Sequence, residues 1–257
     1  MSATEPLLDV TDVNMQFGGV RALRDLGFDV HAGELVAIIG PNGAGKTTVF
    51  NCLNGIYRPQ TGSIRFNGRE LVGLRPSKIA RQGMARTFQN LALFTGLDVL
   101  ENMMLGRHVG MRTGLFSAAM WYGRARREEV QNLQRCREIA EFLDLARYEG
   151  RPVGELPYGV QKRIEVGRAL AIEPQLLLLD EPVAGMSPGE TDDMAHLILD
   201  IQQQLDIAII LIEHDMHLVS DLAERMVALD FGEVLAVGTP EVVAADEAVV
   251  SSYLGSA

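Results

Sequence analysis

Three stretches of the chain are apolar at every position and end abruptly on glycine or charge. They are Leu35–Ile39 before Gly40, Leu176–Leu179 before Asp180-Glu181, and Ile207–Ile212 before Glu213-His214-Asp215. Short runs without a polar face belong to strands covered on both sides, the signature of a mostly parallel sheet between other layers. Elsewhere the pattern changes. Leu8, Val10, Val13 and Met15 approach alternation, Phe17-Gly18-Gly19 reads as a turn, and Val20 to Val30 returns antiparallel. Ser63–Phe66 alternates into Asn67-Gly68, a tight-turn pair, and further strands fall around Met226–Leu229 and Glu233–Val237 before a last helix. Helical spacing predicts helices over 48–56, where Gly55 stops the run, 76–84, most of 97–146, from the 156–163 stretch to about Ile172, and 190–204. Leu133, Ile139, Phe142, Leu143 and Leu145 form the inner stripe of the long helical region, interrupted by an irregular, glycine-containing segment over 106–126.

Between the first buried strand and the first helix lies Gly40-Pro41-Asn42-Gly43-Ala44-Gly45-Lys46-Thr47, which fits G-x-x-x-x-G-K-[ST] in full. Glycines allow a tight turn and expose consecutive N–H groups, with no Cβ in the way of a phosphate oxygen. The helix that continues through Thr48 adds its free N–H groups and the positive end of its dipole. Lys46 is placed to reach β- and γ-phosphates, and the Thr47 hydroxyl to ligate Mg²⁺. A chance match in a chain this long is on the order of one in a hundred. Strand, glycine loop and helix together predict a nucleotide site.

The other two buried strands end in chemistry. Asp180, at the carboxyl edge of a parallel sheet, can hold Mg²⁺ through water, and Glu181 can orient or deprotonate an attacking water. His214 closes a strand on the same edge, within plausible reach of a γ-phosphate, although a lone histidine is more often structural. Gly159, ahead of a helix start, is a second anion position. Phe17 either stacks on an adenine or anchors its hairpin, and the residues leave that choice open.

Composition narrows the function. At 257 residues the chain is long enough for a substantial core. A net charge of −11 argues against a broad nucleic-acid footprint. The two cysteines, Cys52 and Cys136, have no metal-ligand spacing and read as buried small hydrophobes. No signal-like start and no apolar run near 18 residues is present, so the expectation is a cytosolic protein whose membrane contact is peripheral.

In this order, the phosphate loop, Gln89, the Leu156–Gln161 stretch, the Leu176–Glu181 strand and His214 resemble the ATP-binding subunits of ABC transporters. More narrowly, the chain is similar to the ATPases of bacterial branched-chain amino acid importers. That likeness rests on Ala85–Asn90, Thr113–Ser117, Tyr158-Gly159, Glu181–Met186, Ile212–Met216 and Tyr253-Leu254-Gly255. Related importers of urea or short amides share much of it.

The resemblance implies a P-loop NTPase core with a mostly parallel sheet, an N-terminal antiparallel β subdomain and an inserted α-helical subdomain. On this reading 1–90 and 165–257 form the core with its β subdomain, and 91–164 form the helical part. It implies ATP and Mg²⁺ as ligands, adenine stacking by Phe17, metal and water sensing by Gln89, and metal binding by Asp180 with Thr47. Glu181 is then the base and His214 the γ-phosphate contact, while Tyr158, Gly159 and Gln161 serve the ATP held by an opposite subunit. Implied partners are a second ATP-binding subunit (a paralogue or a copy), transmembrane permease subunits and, indirectly, an extracytoplasmic solute-binding protein. The implied location is the cytoplasmic face of the bacterial inner membrane, with no nucleic acid involved.

Two positions depart from the general family pattern. Pro157 and Tyr158 stand where the signature usually has serine and glycine, and Ser187 stands where an aspartate is usual. Soluble ABC-type ATPases of DNA or ribosome function are the competing class. The chain lacks their long coiled coil or second phosphate loop.

Overall fold

The computed structural model describes residues 5–87, 93–107 and 124–254. Gln89, the Thr113–Ser117 stretch and Gly255 lie outside the described residues.

Strands β1 (Leu8–Phe17), β2 (Val20–Val30), β4 (Thr61–Phe66) and β5 (Arg69–Glu70) form an antiparallel sheet in the order β2-β1-β4-β5. A second sheet has the order β10-β9-β3-β8-β7-β6. It joins β3 (Leu35–Ile39), β6 (Met84–Arg86), β7 (Leu176–Asp180), β8 (Ala208–Ile212) and β9 (Arg225–Asp230), all parallel, with β10 (Glu233–Gly238) antiparallel at one edge.

The fully apolar strands are explained by what covers them. Val36, Ile38, Leu176, Leu178, Ile210 and Ile212 pack with Leu8, Leu26 and Phe66 of the antiparallel sheet and with Phe50 of α1 (Lys46–Leu53). The alternate residues Leu35, Ala37, Leu177, Leu179, Ile209 and Leu211 face the opposite cluster. That cluster includes Val99 and Met103 of α3 (Val99–Arg107), Cys136 of α4 (Arg124–Phe142), Ile164 of α5 (Tyr158–Leu170) and Ile198 of α6 (Pro188–Leu205). Each such Leu or Ile contributes about 1.5–3 kcal/mol by leaving water.

The α/β fold with its antiparallel sheet is the expected one, and two local elements differ from the pattern. Only Pro76–Ala80 of the 76–84 stretch is helical (α2), because Gly83 at φ 102 turns the chain into β6. The described residues of the 97–146 region include α3 and α4, and 108–123 lies outside the described residues. After α7 (Met216–Leu222), β9 and β10, the tail holds two helices, α8 (Pro240–Ala244) and α9 (Glu247–Leu254). Cys52 and Cys136 are both buried and free, as expected. Among the described residues, no helix is long and apolar enough to cross a membrane.

Candidate nucleotide site

Parallel registry brings the three buried strand ends together. Asp180 pairs with Ile212, and Ile38 pairs with Ile212 from the other side. The residues that follow, Gly40, Glu181 and Glu213-His214, therefore emerge side by side at the carboxyl edge, where ligands of open α/β sheets bind.

The loop from Gly40 to Gly45 is held by a backbone bond of its own and by one from the β9–β10 turn. Ala44 donates to Pro41 over 3.1 Å, and the Ala44 carbonyl accepts from Gly232 at 2.9 Å. Gly45 has φ 105, and a Cβ there would stand 2.8 Å from the Ala22 carbonyl oxygen, so no other residue fits. Lys46 opens α1, is 6% exposed, and its ammonium donates to the carbonyls of Gly40 (2.5 Å) and Pro41 (3.0 Å). Burial pushes its pKa down, while the charges of Glu181 and Asp180 pull it back up. A cation held in a partly desolvated loop is poised for anionic oxygens.

A cleft of about 350 Å³ opens over this loop. It is lined by Asn42 to Thr48, Glu181 and His214, together with Val20, Arg21, Ala22 and Phe231. Phe231 is 75% exposed, on the β9–β10 turn, with φ 43. An aromatic side chain left in water at a left-handed position is unusual. Phe17 does not line the cleft. It pairs with Val20, which does, and its ring meets Tyr57 edge-on at 5.0 Å between centroids.

Glu181 begins the loop after β7 with φ 49, its N–H bonded to the Ile212 carbonyl at 2.9 Å. Its Oε1 lies 2.5 Å from Nε2 of His214. Beneath them Glu213 is 4% exposed and accepts from the N–H groups of Val183 (3.2 Å) and His214 (3.1 Å). Burial raises the Glu213 pKa, against those two bonds.

Asp180 is 2% exposed and paired with Arg86 at 2.8 Å. The same guanidinium donates to Asn51 of α1 at 2.7 Å and lies 5.3 Å from the Phe50 ring centre. The Thr47 hydroxyl and the Asp180 carboxylate are hard oxygen donors of the kind Mg²⁺ takes, alongside phosphate and water.

Tyr158, Gly159 and Gln161 do not line this cleft. They form the start of α5, where Pro157 is the N-cap. Gln161 donates to the Leu156 carbonyl at 2.8 Å, and the Tyr158 hydroxyl donates to the Ala184 carbonyl at 3.1 Å. The two departures from the family pattern are structurally at ease. Ser187 is the N-cap of α6, with Pro188 at the first helical position and a capping box to Glu190. Serine caps a helix as well as aspartate does.

Reading the sequence missed Arg86, Glu213 and Phe231 as parts of the site. A charge directly adjoining a wholly apolar strand is the signal that could have found Glu213; Arg86 and Phe231 carry no such local mark.

The fold and this cleft define a P-loop ATPase. The ABC transporter family matches residues 23–184, and a branched-chain amino acid ATP-binding cassette transporter family matches residues 233–257. The high-affinity branched-chain amino acid transport ATP-binding protein BraF of Pseudomonas aeruginosa is 40% identical over 254 residues, covering 99% of this chain and all of the relative. LivG of Salmonella typhimurium, with the same description, is 41% identical over the same coverage. Among solved structures, a nucleotide-free ATP-binding cassette from an ABC transporter superposes with TM-score 0.84 at 28% identity, covering 97% of this chain and 99% of that one. The ADP conformation of another such cassette gives 0.85 at 28%, covering 98% and 100%. The chain belongs to the ABC transporter ATP-binding family, in its branched-chain amino acid group, and it is an ATPase.

Proposed function

We propose that this chain hydrolyses ATP at the cytoplasmic face of the cell membrane to drive uptake of branched-chain or other hydrophobic amino acids through permease subunits. A second ATP-binding subunit completes the pair, and a solute-binding protein delivers the amino acid. The solute class is supported by the relatives' names and by the C-terminal family match.

One observation carries the chemistry: Lys46, Glu181 and His214 meet at a single cleft, with Asp180 buried behind it. Lys46 and the N–H groups of residues 43–48 bind the phosphates. Thr47 and Asp180 hold Mg²⁺, with Gln89 as a further ligand, and the metal neutralises phosphate charge when bound. Glu181 takes the proton of the attacking water. His214, bonded to Glu181, orients that carboxylate and faces the γ-phosphate. Phe17 supports the adenine. Tyr158, Gly159 and Gln161 present the start of α5 to the ATP of the opposite subunit.

The test is ATP-driven uptake of radiolabelled leucine into vesicles carrying the assembled transporter. Glu181→Gln retains ATP binding but loses hydrolysis by roughly 10²-fold or more, and uptake fails with it. Lys46→Ala loses binding itself. Normal hydrolysis by Glu181→Gln, or leucine uptake that persists without hydrolysis, overturns the reading.

A further inference from the structure

The start of α5 is already occupied by a carboxylate of the same chain. Glu190, in the first turn of α6, accepts hydrogen bonds from the backbone N–H (3.0 Å) and hydroxyl (2.7 Å) of Ser187. Its carboxylate also lies against the backbone of Gly159, which helps to hold it charged. These bonds, with the Ser187 backbone foremost, hold its carboxyl below the usual range, so it is an anion at neutral pH.

Glycine at 159 leaves room for the carboxylate to come this close. A Cβ there would stand 2.6 Å from Oε1 of Glu190 and 3.1 Å from its carboxyl carbon. The space that glycine leaves open is filled by an acidic oxygen. A phosphate oxygen seeking the same N–H needs the same space and brings the same charge. Two anions cannot share one donor at contact distance.

We propose that Glu190 is an internal occupant of the phosphate position at the start of α5, an autoinhibitory latch that the γ-phosphate of the opposing subunit's ATP must displace. This rests on the proposed role of Gly159 across the subunit pair. The latch also ties the two halves of one chain. Tyr158 donates to the Ala184 carbonyl, in the loop that begins at Glu181, and Arg163 pairs with Asp193 of α6 at 3.1 Å.

Glu190→Gln separates the latch from the helix cap, because glutamine completes a capping box as glutamate does. In the isolated protein, the Gly159 amide proton resonance shifts upfield in Glu190→Gln, as a neutral acceptor replaces a charged one, while the melting temperature holds. In a Glu181→Gln background, which keeps ATP uncleaved, adding Glu190→Gln strengthens ATP-dependent pairing by at least roughly tenfold, read by sedimentation. An unmoved Gly159 amide, or pairing of the same strength with and without Glu190→Gln, overturns the latch. Failure of Glu181→Gln protein to bind ATP at all counts against the nucleotide site instead, and the Gly159 amide then decides the latch.

Discussion

His214 Nε2 lies 2.5 Å from Oε1 of Glu181, although 33 positions separate the two along the chain. Neighbouring strands β8 and β7 end beside each other and aim both side chains into one cleft. Glu181 is 15% exposed and His214 46%, so the carboxylate is sheltered and the imidazole faces solvent. His214→Ala should therefore lower kcat for ATP by about 10²-fold, the usual range for an acid–base or orienting partner, and change KM little. Wild-type kcat in that variant would remove the pair from the chemistry.

Arg86 and Asp180 are 5% and 2% exposed, an ion pair with almost no access to water. Removing one partner strands the other's charge. Arg86→Ala should cost roughly 3–5 kcal/mol, by the usual penalty for breaking a buried pair. The double variant Arg86→Met with Asp180→Leu should regain much of that stability while remaining inactive. Denaturant midpoints decide it: a loss well under 1 kcal/mol for Arg86→Ala would mean that Asp180 finds another partner.

Glu213 gives the fold a pH dependence of definite sign. Its pKa is raised by burial, so the folded chain holds this proton more tightly than the unfolded one. The stabilisation is complete below the ordinary glutamate range and is lost as pH rises through the raised value. Glu213→Gln lacks that titration. The melting temperature of wild type minus that of Glu213→Gln should fall as pH rises from about 5 to 8. A difference that grows with pH would assign Glu213 a lowered pKa and contradict its burial.

The apolar wall of the cleft predicts nucleoside binding beyond Phe17. Phe231 and Val20 line the same cleft as Glu181 and are 75% and 68% exposed. Phe231→Ala should weaken ATP and ADP binding by about 1–3 kcal/mol, the usual worth of an aromatic under a base, with no effect on tripolyphosphate. Phe17→Ala tested in parallel reports whether that ring contributes as well. Equal ATP affinity in Phe231→Ala and wild type would leave that ring without a nucleotide role.

Local sequence determined what depends on neighbours in the chain. The phosphate loop was legible because its glycines, lysine and flanking strand and helix lie within one short stretch. The buried strands were legible because apolar residues on both faces have no other stable place. Net charge and hydropathy pattern were likewise readable without coordinates.

Tertiary structure decided what depends on pairing across long separations. Nothing near Arg86 in the sequence names Asp180 as its partner; the parallel registry of β6 with β7 does. Phe231 reads as an ordinary turn residue until the β9–β10 turn is anchored on Ala44 and set beside the loop. The short α2 turned on one backbone choice, the left-handed Gly83, that helical periodicity does not register. The contact of Glu190 with Gly159 exists only because α5 and α6 bring their first turns together, so that a carboxylate bonded to Ser187 also lies against Gly159. Chain-local patterns fix which groups are present and in what conformation, and packing fixes which charges meet.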